Sequence, residues 1–158
     1  MVWAYAVMKH PSVDLFNAIA QSIINRSNNN NDSNIDTKRR KRAKLPRFNP
    51  QSISNIVWAC AKLGQSYYSP EFFDVMSQMS IDRSHMFNSH DIANTVWAYA
   101  KVGHSAPELF DAISQQLTSK KKKLFLLDTF KSQEIANTLS AYAKSGHSSP
   151  DLFDSISE

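Results

Sequence analysis

The side chains able to do chemistry are few and regularly placed. Cys60 is the only cysteine among 158 residues, so the chain builds neither an internal disulfide nor a cysteine-based zinc site. It stands where Tyr5, Tyr99 and Tyr142 stand in three related segments, a packing position rather than a nucleophile's. His10, His104 and His147 also come one per segment, with Gln65 in the same place, and a metal needs several ligands converging on one point. No acid pair, cysteine–histidine pair or glycine-rich phosphate loop emerges from a chain with three glycines, and no catalytic residue, metal or cofactor is expected. What recurs is a polar stripe. Asp91, Asn94, Ala98 and Lys101 are spaced three, four and three, which places them along one helix face. Their equivalents are Ser52, Asn55, Ala59 and Lys62, then Glu134, Asn137, Ala141 and Lys144. A variable polar group, an amide, a small residue and a cation per segment could read a base edge beside a phosphate contact, the alanine allowing close approach. The same pattern suits packing, with asparagine bonded between helices, alanine letting them close up and lysine favoured at a helix carboxyl end.

The elements that must carry this stripe are set by a repeat. VWAYAVMKHPSVDLF (2–16), VWACAKLGQSYYSPEFF (57–73), VWAYAKVGHSAPELF (96–110) and LSAYAKSGHSSPDLF (139–153) are four copies of one phrase. Trp58 to Trp97 and Phe48 to Phe87 are both 39 residues, while Trp97 to Ser140 and Phe87 to Phe130 are both 43. The extra length falls at Lys120 to Lys123, and an extra pair at Tyr67-Tyr68, both between helices. In each copy Ile53, Val57 and Ala61, or Ile92, Val96 and Ala100, mark the apolar face of a first helix. Asn49-Pro50, Ser89-His90 or Ser132-Gln133 opens it, and Gly64, Gly103 or Gly146 closes it. Ser69-Pro70-Glu71 and Ser149-Pro150-Asp151 head a second helix with a capping serine, a first-turn proline and an acid, and Ala106-Pro107-Glu108 lacks the cap. Trp3, Trp58, Trp97, Phe16, Phe73, Phe110 and Phe153 are expected in the packing between helices. One such pair cannot bury its own apolar face, so neighbours must stack. The expected fold is all-α, an α-solenoid of about four helix-turn-helix repeats of roughly 39–43 residues with incomplete outer copies. Its parts are a partial repeat at 1–25, an insert at 26–47, repeats at 48–86 and 87–129, and a partial repeat at 130–158.

The phrase F-x-x-[QH]-x-I-x-N-x-x-W-A-x-A-K-x-G-[HQ]-x-x-P-x-L-F-D resembles the octotricopeptide-type repeats of organelle RNA-processing factors. RAP-associated and FAST-kinase-like proteins and RNA-editing substrate-binding complex repeats share that likeness. It covers nearly everything outside 26–47 and departs at Ser140, Val7 and Phe72, where tryptophan, lysine and leucine are replaced. No RAP-type domain is present in these residues. The resemblance implies binding of single-stranded RNA in a mitochondrion or plastid, in company with other RNA-processing proteins, and no small-molecule substrate.

Charge complicates that implication. The net charge is +4, but residues 26–47 hold eight basic and two acidic residues. The rest of the chain therefore carries −2, and −6 once Lys120 to Lys123 are set aside. The insert joins Asn28 to Asn31 to the run Lys38, Arg39, Arg40, Lys41 and Arg42, too polar a composition to offset its ordering entropy, and is expected to be disordered. It reads as a solvated linker, as an auxiliary nucleic-acid-binding arm, or as a nuclear localisation signal. An acidic helical part keeps a second function open, a protein-scaffolding solenoid. No apolar run reaches the ~20 residues that span a bilayer, and the opening MVWAYAVMKHP lacks the form of a signal peptide. Trp3 already lies in what recurs as mid-helix, so the chain is expected to be part of a larger protein.

Overall fold

The computed structural model describes residues 18, 20–25, 48–64, 69–118 and 129–157. The expectations placed on the insert 26–47, on its basic run, on the phrase at 2–16 and on Lys120 to Lys123 lie outside these residues. Within them every regular element is helical: α1 (Pro50–Leu63), α2 (Pro70–Arg83), a 3₁₀ turn (Ser84–Met86), α3 (Ser89–Val102), α4 (Pro107–Thr118), α5 (Ser132–Ser145) and α6 (Pro150–Ser157). The fold is an all-α helical repeat.

Local chemistry sets each boundary. Asn49 caps α1 by accepting from the Ser52 N–H at 2.7 Å, and Ser69 caps α2 by accepting from the Phe72 N–H at 3.3 Å. For α3 the cap falls one residue before the expected Ser89. Asn88 Oδ1 accepts from the Asp91 N–H at 2.9 Å while Asp91 Oδ2 accepts from the Asn88 N–H at 3.3 Å, a reciprocal box. The cap position of α5 is Lys131 rather than Ser132, and because lysine cannot accept, Glu134 supplies the bond by accepting from the Lys131 N–H at 3.0 Å. Both helices end at a glycine in the left-handed region, Gly103 at φ 70° and Gly146 at φ 67°, where a β-carbon would be strained.

Two layers result. The first helices line up as α1, α3, α5, and the second as α2, α4, α6, each in contact with the next of its own kind. The apolar faces meet between the layers, where Ile53, Val57, Ile92, Val96, Phe73, Phe110, Leu109 and Leu117 lose essentially all exposure. Ala59, Ala98 and Ala141 are buried too, so their small size permits close approach of neighbouring first helices. Ile23 joins the same core from the helical stretch 20–25.

A clasp recurs at the two described seams between repeats. Tyr99 of α3 donates its hydroxyl to the Phe73 carbonyl of α2 at 2.7 Å, and Tyr142 of α5 donates to the Phe110 carbonyl of α4 at 2.8 Å. Edge-to-face ring contacts back each bond, with centroids 5.2 Å and 4.9 Å apart. The turn histidines complete the clasps: His104 lies against Phe73 and Tyr99 and reaches Asp74 at 3.0 Å, and His147 lies against Phe110 and Tyr142 and reaches Asp111 at 3.0 Å. The second seam adds a hydroxyl relay in which Ser149 donates to Ser114 and Ser114 to Tyr142. Phe153, expected in the core with its equivalents, is 38% exposed. Phe73 and Phe110, by contrast, are covered by the tyrosine and histidine of the following repeat.

Candidate nucleic-acid interface

A first helix flanked on both sides by others of its kind and backed by the second layer keeps only a narrow solvent face. On α1 that face runs through Gln51, Asn55, Trp58 and Lys62, spaced four, three and four. On α3 it is His90, Asn94, Trp97 and Lys101, and on α5 Gln133, Asn137, Ser140 and Lys144. The helices lie side by side, so these residues form rows across the repeats: a glutamine or histidine, then asparagine, then tryptophan or serine, then lysine. The three lysines are exposed and the three asparagines half-buried.

This face is turned relative to the stripe expected from the sequence. Asn55, Asn94, Asn137, Lys62, Lys101 and Lys144 lie on it, but Ser52, Asp91, Glu134 and the alanines Ala59, Ala98 and Ala141 do not. Asp91 is 2% exposed and held in its capping box, where Oδ1 also accepts from Ser54 Oγ at 2.9 Å across the α1–α3 seam. Glu134 is buried likewise and meets His90 Nδ1 at 3.2 Å across the α3–α5 seam. Burial works to raise the Glu134 pKa, but hydrogen bonds from the Lys131 N–H, His90 and Ser89 carry it below the ordinary carboxyl value. Ser52 is half-buried in the first turn of α1. At Asp91 and Glu134 the variable polar position is therefore a cap and a seam contact. The inter-helix bonds assigned to asparagine are made by these acids, while Asn94 Nδ2 donates to His90 Nε2 at 3.0 Å on the open face.

The tryptophans also depart in part from the expected core position. Trp58 and Trp97 pack against the core and are half-buried. Trp58 and Trp97 lie 6.3 Å apart at 35°, with Lys62 Nζ 5.9 Å from the Trp58 ring. Sequence spacing held the signal for this face, since positions 90, 94, 97 and 101 fit one helical line more tightly than 91, 94, 98 and 101. The offset of three from Asn88 to Asp91 marked Asp91 as a capping residue.

Elsewhere the chemistry is closed. Burial pushes the Cys60 thiol up to about 12, against a backbone hydrogen bond that lowers it, so no thiolate is available near neutrality. Among the described residues no group of three histidine, cysteine or acidic side chains could hold a metal ion, and no helix is long and apolar enough to cross a membrane. A cleft of about 320 Å³ opens between the turns after α3 and α5, beside Tyr99, Phe110 and Lys144, and its two histidines are those of the clasps.

This outward face bears an amide and a cation on each of the three first helices and a tryptophan on two of them. The family model for RNA-editing substrate-binding complex 6 protein matches residues 1–158. The chain belongs to this family. No curated protein matches it. Among the families that the repeat phrase resembles, the RNA-editing substrate-binding complex is the one named by this whole-chain match, and the all-helical repeat is its fold in this member.

Proposed function

We propose that the chain binds single-stranded RNA across the rows of α1, α3 and α5, and that it serves organelle RNA editing or processing as a binding module without catalysis of its own. The observation that carries this reading is the alignment of Asn55, Asn94 and Asn137 beside Lys62, Lys101 and Lys144 on one solvent face. The lysines supply a sequence-independent attraction to phosphates, and the amides, with both donors and acceptors, suit base edges. The octotricopeptide-like period supports a register of about one nucleotide per repeat. Mitochondrion or plastid is the setting that the resemblance favours, with other RNA-processing proteins as neighbours and the run Lys38 to Arg42 as an auxiliary arm.

Changing Lys62, Lys101 and Lys144 together to glutamine tests the reading in fluorescence anisotropy with labelled single-stranded RNA. The expected result is weaker binding to all sequences and a shallower salt dependence, by about 0.7 in log–log slope for each phosphate no longer neutralised. Unaltered binding would remove the face from the reading. Absence of RNA binding by the unmutated chain at low salt would move it to the protein scaffold that the −6 charge of the helical part favours.

A further inference from the structure

The tryptophan row stops one repeat short. Trp58 of α1 and Trp97 of α3 occupy equivalent positions, and the side of the Trp97 ring toward α1 meets Trp58 at 6.3 Å. The α3–α5 packing repeats the α1–α3 packing, which puts residue 140 where a third ring would cover the other side of Trp97. That residue is an exposed serine. Its side chain is far smaller than the indole at the equivalent position, which by that equivalence leaves a recess beside the Trp97 ring. Asn94 and Asn137 stand one helical turn to one side, and Lys101 and Lys144 one turn to the other.

We infer that this recess is a stacking slot for one nucleobase, the base lying on the free side of the Trp97 ring in the place of the missing tryptophan. The inference rests on the RNA-binding reading and adds to it a position and a residue. Three features select the occupant. An indole face is a platform for any base, since every base offers a π-face. The flanking amides lie within a helical turn, at the side where the edge of a stacked base emerges, and present paired donors and acceptors. The flanking lysines lie on the opposite side, where the phosphates of the same strand find their counter-charge. Between α1 and α3 the same place is filled by the Trp58–Trp97 pair, so the slot is a property of the α3–α5 seam alone among the described first helices. The array would hold a strand by its lysines at every repeat and grip a base firmly at one.

Filling the slot tests it. Ser140→Trp restores the third ring at an exposed position, and Gln115→Trp, on the exposed side of α4, controls for an added tryptophan. Binding of labelled single-stranded RNA is measured at low salt for both and for the triple lysine variant, with circular dichroism to verify the helices and sedimentation to compare the association state with that of the unmutated chain. The expected result is a loss of roughly tenfold or more in affinity for Ser140→Trp and none for Gln115→Trp, together with quenching of tryptophan emission by RNA that survives Trp58→Phe and largely disappears in Trp97→Phe. If Ser140→Trp binds as tightly as the unmutated chain while the lysine variant is weakened, the slot is overturned and the RNA reading stands. A change in the association state of Ser140→Trp with RNA affinity intact also overturns it, in favour of a second copy as occupant. If the unmutated chain binds no RNA at low salt, both inferences fall together.

Discussion

α3 shows two faces that obey the same repeat and do opposite things. Its flanks and its inner side are sealed: Asp91 holds Ser54 of α1, Tyr99 holds the Phe73 carbonyl of α2, and Ala98 is buried beneath a neighbouring helix. Its solvent face carries His90, Asn94, Trp97 and Lys101, polar or only half-covered. On the sealed sides an unpaired buried group costs about 1–3 kcal/mol, so Asp91 and Tyr99 are both paired, although Thr95 Oγ1 of the same helix is buried without a hydrogen-bond partner. On the open face there is no such requirement, yet asparagine and lysine recur there on all three described first helices. A repeat sequence therefore mixes two sets of recurring residues, and only the geometry separates those kept for the seam from those free to meet a ligand.

The seam should answer to mutation far more strongly than the face, and its own copies should differ. Phe110→Ala removes a fully buried ring together with its contacts to Tyr142 and His147, and is expected to cost about 3–5 kcal/mol. Phe153→Ala changes the equivalent but exposed ring and should cost less than about 1 kcal/mol. Chemical denaturation of the two variants checks the contrast. Equal losses would mean that sequence position in the repeat, rather than cover by a following clasp, sets the energetics.

The repeat, the two-helix unit and the all-helical fold were legible because they rest on local signals: the apolar period of Ile92, Val96 and Ala100, the proline–acid starts and the glycine stops. The solvent face was legible only to within half a helix turn. Asp91 and Asn94 are both polar and three residues apart, so composition does not tell which one faces water. That is decided by how closely α1 approaches α3, through Ala98 and the Ser54–Asp91 bond, which is a property of packing between repeats. The tryptophans are ambiguous for the same reason. Their size suggests a core, while their position beside the lysines leaves Trp58 and Trp97 half-buried. The tyrosine-to-carbonyl clasp joins residues 26 and 32 positions apart and leaves no periodic trace of its own beyond the recurrence of tyrosine.

A smaller effect isolates the polar part of the clasp. Tyr142→Phe keeps the ring and removes the hydroxyl, leaving the buried Phe110 carbonyl without its donor, and is expected to cost about 1 kcal/mol, or ~2–4 °C in melting temperature. The hydroxyl also gives the seam a signature in alkali. Burial raises the pKa of Tyr99 and of Tyr142, with Asp74 and Asp111 respectively adding to the rise and Ser114 opposing it at Tyr142. Their folded values thus lie above the ordinary value of about 10, so their contribution is complete below pH ~10 and is lost as pH rises through the folded values. Thermal melting from pH 8 to 11.5 should show stability falling above pH ~10, and less steeply in Tyr142→Phe. An identical slope in the two proteins would place the alkaline loss elsewhere.

The smallest effect on the fold is expected from the largest change in sequence, deletion of 27–46. These twenty residues include only Ile35, Ala43 and Leu45 as apolar side chains, so little buried surface can be lost with them. Phe48 packs against the core and Asn49 caps α1 through its own side chain, so both of these features lie outside the deletion. For the linker that its composition predicts, shortening changes loop-closure entropy slowly, by about 0.6 kcal/mol for each halving of length. Helicity by circular dichroism and the melting temperature should therefore be unchanged within about 2 °C, in contrast to Phe110→Ala. The deletion also removes Lys38, Arg39, Arg40, Lys41, Arg42 and Lys44, so the salt dependence of RNA binding in the same variant assigns the insert its role. A linker leaves the slope as it was. An auxiliary arm lowers it for every sequence alike, while any preference set by Asn94, Asn137 and the Trp97 slot stays in place, because those residues are held by α3 and α5 alone. A large loss of helicity would show instead that the insert is part of the packed array, and that the division between seam and open face begins before Phe48.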